Sequence, residues 1–321
     1  MRKMKRLKWL IGLASVGAAA EAGLAEYFFR RTMIRQNAST ERTQKMAGTC
    51  WEQYLPMIRE RRERMMSQEH EDVWITSGDG LRLHGTYFPG DGGNKIVICF
   101  HGYTGAGTKD YAGLSAYYLK RGWNMLLVDE RAHGESEGKY IGFGCLDRFD
   151  AQKWIEYTIE KMGEDCDIFL HGISMGGATV LMTSGLDLPP QVRGIISDCA
   201  FTSAKDVFAH VLRDMYHIPA FPLLQLADIM NRKRAGYALD ECNAALEVQK
   251  AQVPILFIHG TEDTFVPTRM CTILCENCAS DYTCLFVEGA SHAESYYKET
   301  ERYEKALDTF TEDLLKGKKK P

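Results

Sequence analysis

Short, nearly continuous apolar runs recur through the middle and end of this chain: Ile96–Phe100, Met125–Val128, Ile168–Leu170, Gly194–Ile196, Ile255–Ile258 and Leu285–Val287. A strand covered on both faces reads this way, because neither face calls for polar residues. The intervals between runs are long enough for crossover helices, and 153–161 has the character of one. Near the N-terminal side, Val73–Thr76 and Leu81–Phe88 flank Ser77-Gly78-Asp79-Gly80, a turn-rich interval that signals a hairpin. The combination predicts an α/β fold, a mainly parallel sheet flanked by helices with an antiparallel N-terminal hairpin. With 321 residues, 45% of them hydrophobic and 26% charged, the chain can bury a large core and is neither largely disordered nor a multi-spanning membrane protein. In such a sheet ligands bind outside the carboxyl ends of the strands, so the residues after each run are where chemistry is expected.

One of these strand ends is distinctive. Ile168-Phe169-Leu170-His171 leads straight into Gly172-Ile173-Ser174-Met175-Gly176-Gly177, and Ala178-Thr179-Val180-Leu181-Met182 follows with helical character. This is G-x-S-x-G between a strand and a helix, the setting in which the serine is lifted above the sheet on a sharp turn. A side chain at either flanking glycine would crowd so tight a backbone. The pattern alone is common by chance; its context and partners give it weight.

A serine hydroxyl is a weak nucleophile near neutral pH and needs a base that is itself oriented by a third group. In this topology the expected chain order is nucleophile, acid, histidine. Ile255–Ile258 ends in His259-Gly260-Thr261-Glu262-Asp263-Thr264-Phe265-Val266-Pro267, and Leu285–Val287 ends in Glu288-Gly289-Ala290-Ser291-His292. Asp263 and His292 therefore arrive in order at strand ends, with Glu262 as a rival acid. Acyl transfer also develops negative charge on the former carbonyl oxygen, which requires preorganised donors. The backbone N–H of Met175 supplies one. The backbone N–H of Tyr103, in His101-Gly102-Tyr103-Thr104-Gly105 after Ile96–Phe100, is the candidate for the second.

The set His101–Gly105, Asp129–Gly138, Gly172–Gly177, Gly260–Asp263 and Gly289–His292 resembles the α/β-hydrolase superfamily, specifically bacterial serine hydrolases of the serine aminopeptidase and acyl-thioester hydrolase-like branch. The resemblance covers roughly 73–315 and is specific for the fold but weak for substrate. It implies that Ser174, Asp263 and His292 form a catalytic triad, with Arg131 and His133 in structural roles. The activity expected is cleavage of carboxylic esters or thioesters through an acyl-enzyme. A serine peptidase acting on small peptides and a catalytically idle membrane-associated binding module are the alternatives. The expected partner is a small acyl ester, thioester or amide, with no cofactor and no metal.

The long interval from Phe201 to about Gln249 exceeds one crossover helix and reads as a cap inserted over the site, with Tyr216, Phe221, Leu223 and Leu224 suggesting an apolar lid. Asp198 and His217 are weaker candidates for substrate contact. Cys271, Cys275 and Cys278 have iron-sulfur-like spacing, yet i, i+4, i+7 on a crossover helix reads better as one buried stripe. Ten irregularly spaced cysteines in a chain of this length fit free thiols in a reducing setting. Lys plus Arg total 39 against 43 Asp plus Glu, so a net charge of −4 offers no field for gripping nucleic acid.

Five basic residues precede an uncharged stretch from Trp9 to Ala20, after which Glu21 and Glu26 interrupt the apolar character. A span from Trp9 to Phe29 could just cross a hydrocarbon layer of roughly 30 Å, but a mid-helix Glu costs about 2.5–3.5 kcal/mol. An anchor giving membrane association through 9–29, a cleaved secretory signal and a surface amphipathic helix on a cytoplasmic protein all remain open. The organisation expected is a hydrophobic segment 1–30, a helical connection 31–72, the α/β-hydrolase domain 73–315 with its cap at about 201–249, and a basic tail 316–321.

Overall fold

The structure is a computed structural model that describes residues 20–36, 48–91 and 93–317. Its centre is an 8-stranded sheet in the order β1-β2-β4-β3-β5-β6-β7-β8. The strands are β1 (Glu71–Thr76), β2 (Arg82–Phe88), β3 (Lys95–Phe100), β4 (Asn124–Val128), β5 (Asp167–Ile173), β6 (Val192–Asp198), β7 (Ile255–Gly260) and β8 (Tyr282–Val287). β1 pairs antiparallel with β2, and β2 with β4; every other pairing is parallel. Each expected apolar run lies inside a strand, and the two segments around Ser77–Gly80 form the edge hairpin.

Side chains alternate across the strands, and the core divides accordingly. Ile96, Ile98, Phe100, Leu126, Val128 and Leu170 face one side, packing with Trp154 and the helix Met175–Thr183. Val97, Cys99, Met125, Leu127 and Phe169 face the other, against Tyr117, Tyr118 and Tyr303. Burying each such side chain contributes about 1.5–3 kcal/mol, so a double-sided sheet of this size makes a rigid base for the loops above it.

Register decides which loops meet. Phe100 pairs with Gly172, so the loop after β3 and the turn after β5 leave the sheet side by side. Gly260 pairs with Val287, which brings the segments after β7 and β8 together. Between β6 and β7 the chain builds a roof from the helices Ala204–His210, Leu223–Arg234 and Ala244–Glu247, with a π-helical turn at Val211–Met215.

Residues 20–32 are helical and lie against this roof and the loops below it. Ala25, Phe29 and Met33, one face at four-residue spacing, are buried, and the Phe28 ring meets Phe208 edge-on at 5.5 Å. Ile34 bridges Tyr140, and Arg35 donates to the carbonyls of Gly134 and Ser136. Within 20–29 the contacts to the domain are made through Ala25, Phe28 and Phe29, while 20–24 and Tyr27 are exposed. Residues 9–19 of that span, residues 37–47 of the connection and 318–321 of the tail lie outside the described residues. Among the described residues no helix is long and apolar enough to cross a membrane.

Candidate active site

Ser174 sits at the junction of β5 and the helix Met175–Thr183 with φ 56° and ψ −110°. That conformation is rare for a residue with a side chain and costs of order 1–3 kcal/mol unless its surroundings enforce it. The surroundings do. The Ser174 N–H donates to the Asp198 carbonyl at 2.8 Å and the Gly176 N–H to the His101 carbonyl at 3.0 Å, which pins the turn to β6 on one side and β3 on the other. A Cβ at Gly172 would overlap the Gly176 carbonyl, and one at Gly176 would overlap that of Phe100.

The His292 Nε2 lies 2.8 Å from the Ser174 Oγ, and its Nδ1 lies 2.7 Å from the Asp263 Oδ2. Three residues spaced across the second half of the chain are therefore joined in one hydrogen-bonded line. Asp263 is almost fully enclosed. Its Oδ1 accepts the N–H groups of Phe265 and Val266 at 3.0 and 2.8 Å. Burial opposes its ionisation, but the neighbouring His292 and hydrogen bonds from His259 and His292 outweigh burial and hold the carboxyl well below its ordinary range. Glu262, the rival acid, is exposed and has no bond to His292.

Two neighbours of this line were not singled out from the sequence. His259 places its Nε2 3.3 Å from the Asp263 Oδ2 and 2.8 Å from the Val266 carbonyl. Its position four residues before Asp263, at the end of the same strand, was the available signal. The Phe265 ring lies 5.0 Å from that of His292 and covers it.

Met175 begins its helix, where an N–H has no acceptor one turn earlier. Tyr103 lies in the loop after β3 beside Ser174, its ring stacked on Phe143 at 5.3 Å and its hydroxyl donating to the carbonyls of Arg31 and Thr32 at 3.3 and 3.1 Å. His101 shapes this loop: Nδ1 donates to the Gly102 carbonyl at 2.7 Å and Nε2 accepts the Glu130 N–H at 3.0 Å. His133 accepts the Thr104 N–H, while burial pushes its imidazole down to about 3. Arg131 clamps Asp150 through two bonds of 2.7 and 2.8 Å and reaches Asp79 in the hairpin turn.

Two chambers meet at Ser174. One, of about 220 Å³, is almost wholly apolar; the helix 20–32 contributes Phe28 and the roof contributes Phe208, Val211 and Leu223. Tyr216 lines it, Leu224 is buried in the core beside it, and Phe221 is mainly exposed. The other, of about 400 Å³, contains His292 as well as Ser174 and is bounded by the helix Leu55–Met66, the loop after β3 and Tyr297. Asp198 lies on its floor, where burial pushes the carboxyl up to about 6; His217 is exposed at a turn in the roof. Cys271 and Cys275 are on the buried face of the helix Thr268–Asn277, and Cys278 caps its end.

A sheet of this order with a strained serine at the β5 turn defines a class, and comparison with known proteins agrees with it. A family model described as "Serine aminopeptidase, S33" matches residues 93–235. The uncharacterized protein YqkD of Bacillus subtilis is 31% identical over 241 residues, covering 75% of this chain and 78% of that protein. The alpha/beta hydrolase domain-containing protein WAV2 of Arabidopsis thaliana is 26% identical, covering 78% and 81%. Among solved structures, the esterase Pf2001 of Pyrococcus furiosus superposes with a TM-score of 0.62 at 21% identity, covering 78% of this chain and 93% of that one, a likeness of fold. The chain belongs to the α/β-hydrolase superfamily and is a hydrolase.

Proposed function

We propose that this hydrolase cleaves carboxylic esters or thioesters with Ser174 as nucleophile. His292 takes the hydroxyl proton as the Ser174 oxygen attacks the acyl carbon, and Asp263 holds the imidazole in the required tautomer and stabilises its cationic form. The backbone N–H groups of Met175 and Tyr103 receive the oxyanion, a contribution worth about 3 kcal/mol per donor in comparable sites. His292 then gives the proton to the leaving oxygen or sulfur, the tetrahedral species collapses to an acyl-enzyme, and water activated by His292 releases the acid.

The observation that carries this reading is the unbroken hydrogen-bonded line from Asp263 through His292 to Ser174, ending where an apolar chamber opens. Labelling with a fluorophosphonate probe, together with hydrolysis of p-nitrophenyl acyl esters, tests it. Wild type should label and turn over, and Ser174→Ala should do neither; equal labelling of both sinks the assignment. The family description favours a second reading, a serine peptidase, because the same groups attack amides. Faster cleavage of aminoacyl nitroanilides than of matched esters would establish that alternative. A chain that neither labels nor turns over would instead be a binding module.

Association with a lipid surface, if carried by 9–29, would spare Ala25, Phe28 and Phe29, which pack on the domain. Flotation of the full chain with anionic vesicles should show it; a chain that stays at the bottom of the gradient removes this part of the reading.

A further inference from the structure

The larger chamber has a direction imposed by chemistry. In acyl transfer the proton held on the His292 Nε2 must reach the leaving atom, so the leaving group lies on the side that His292 lines. His292 belongs to the larger chamber and not to the apolar one. The acyl chain and the leaving group are thereby assigned to different walls.

The wall on the leaving-group side carries charge. Leu55, Ile58, Arg59 and Arg62 line it from one face of the helix Leu55–Met66, at spacings i, i+3, i+4 and i+7, and Lys109 adds to it from the short helix Gly107–Asp110. Among the described residues, Arg59, Arg62 and Lys109 have no ion-pair partner; Arg62 donates only to the Thr108 carbonyl, at 3.2 Å. Glu60 and Glu63 of the same helix do not line the chamber. Two carboxyls do, and both are engaged at its floor: the Asp110 Oδ2 accepts the Gly102 N–H at 2.8 Å and the Asp198 Oδ2 accepts the Tyr303 hydroxyl at 3.1 Å. Burial pushes both carboxyls above their ordinary range.

We propose that this chamber receives a phosphate-bearing alcohol or thiol as the leaving group, its phosphate held at the lip by Arg59, Arg62 and Lys109. The inference rests on the acyl-enzyme reading above and names the substrate class for that site. Two guanidinium forks and an ammonium match a dianion with three terminal oxygens, where a single carboxylate would leave cations unpaired. In the step itself the His292 proton passes to the leaving oxygen or sulfur, the bond from that atom to the acyl carbon breaks, and the phosphate-bearing alcohol or thiol departs with its phosphate intact. No oxidant or further reactant is involved.

Matched pairs of hexanoyl donors test it: the esters of glycerol and of glycerol phosphate, and the thioesters of pantetheine and of phosphopantetheine. The phosphate should raise kcat/KM by about tenfold or more, the equivalent of about 1.4 kcal/mol, in at least one pair and chiefly through KM. Which pair responds distinguishes a glycerophosphate from a thiol-carrier leaving group. The advantage should shrink at about 1 M salt, where the screening length falls to about 3 Å. In Arg59→Glu and Arg62→Glu the ratio within the pair should fall to one or below, with active enzyme counted by fluorophosphonate titration of Ser174. A ratio near one in both wild-type pairs overturns the proposal, as does a ratio that survives both charge reversals. Absence of probe labelling in wild type overturns the acyl-enzyme reading as well; intact labelling with no phosphate advantage removes this inference alone.

Discussion

The two chambers meet along Tyr103, Thr104, Ser174 and Phe265 and differ in the rest of their walls. On one side of Ser174 the surfaces are Phe28, Phe208, Val211 and Leu223; on the other they are Arg59, Arg62, His292 and the Asp198 carboxyl. The sheet supplies the reacting groups to both, through the ends of β5, β7 and β8. The distinguishing walls come from segments outside the sheet: helix 20–32 and the roof on the apolar side, Leu55–Met66 on the charged side. Under the proposed function, chemistry and selectivity fall to different parts of the chain, and substitutions should separate them.

The largest effect should be blind to the difference. Ser174→Ala is expected to lower kcat by about 10⁶-fold for every donor, whatever its chain or leaving group, as read by steady-state turnover. Asp263→Asn should follow with about a 10⁴-fold loss, again across all donors, since the tautomer of His292 is no longer enforced. A donor that escapes either loss would break the comparison by showing a second route. Val211→Trp should split the chambers: filling the apolar one is expected to reduce kcat/KM for long-chain p-nitrophenyl esters by about 100-fold while the acetate ester changes by less than about threefold. Equal losses would mean that the acyl chain does not enter there.

The smallest effect concerns the floor of the charged chamber. The Asp198 carboxyl is raised to about 6 by burial, so the stability linked to its protonated form is fully present below the ordinary carboxylate value and is lost as pH rises through about 6. Between about pH 5 and about pH 8 the loss amounts to about 1.4 kcal/mol. Asp198→Asn removes that dependence. Denaturant melts at the two pH values should show wild type losing about that much more than the variant, and parallel behaviour would place the titration elsewhere.

Much of this architecture could be read in advance from local signals. A strand covered on both faces declares itself by an unbroken apolar run, and the turn at Ser174 by glycines whose backbone contacts leave no space for a Cβ. Asp263 and His292 could be named because each follows a strand by a short, ordered segment. The roof was legible in part, through Tyr216 and Leu223, but the walls built by 20–32 and Leu55–Met66 were not. Ala25, Phe29 and Met33 make an ordinary buried stripe, and nothing in 20–33 says that its partners are Phe208 and Tyr140 far along the chain. The spacing of His259 to Asp263 hinted at their link, but a histidine at a strand end reads like a core residue until its ring nitrogen is placed. Leu55–Met66 reads as a polar connecting helix because its Arg-rich face is exposed in character, and only the fold turns that face toward Ser174.

The Tyr103 hydroxyl grips the carbonyls of Arg31 and Thr32, so the loop beside the nucleophile is fastened to the start of the chain. Removing residues up to Gln36 would take away that fastening and one wall of the apolar chamber together. Under the proposed function, a shortened protein would still react with small activated esters yet give a false picture of which chain lengths the intact one prefers.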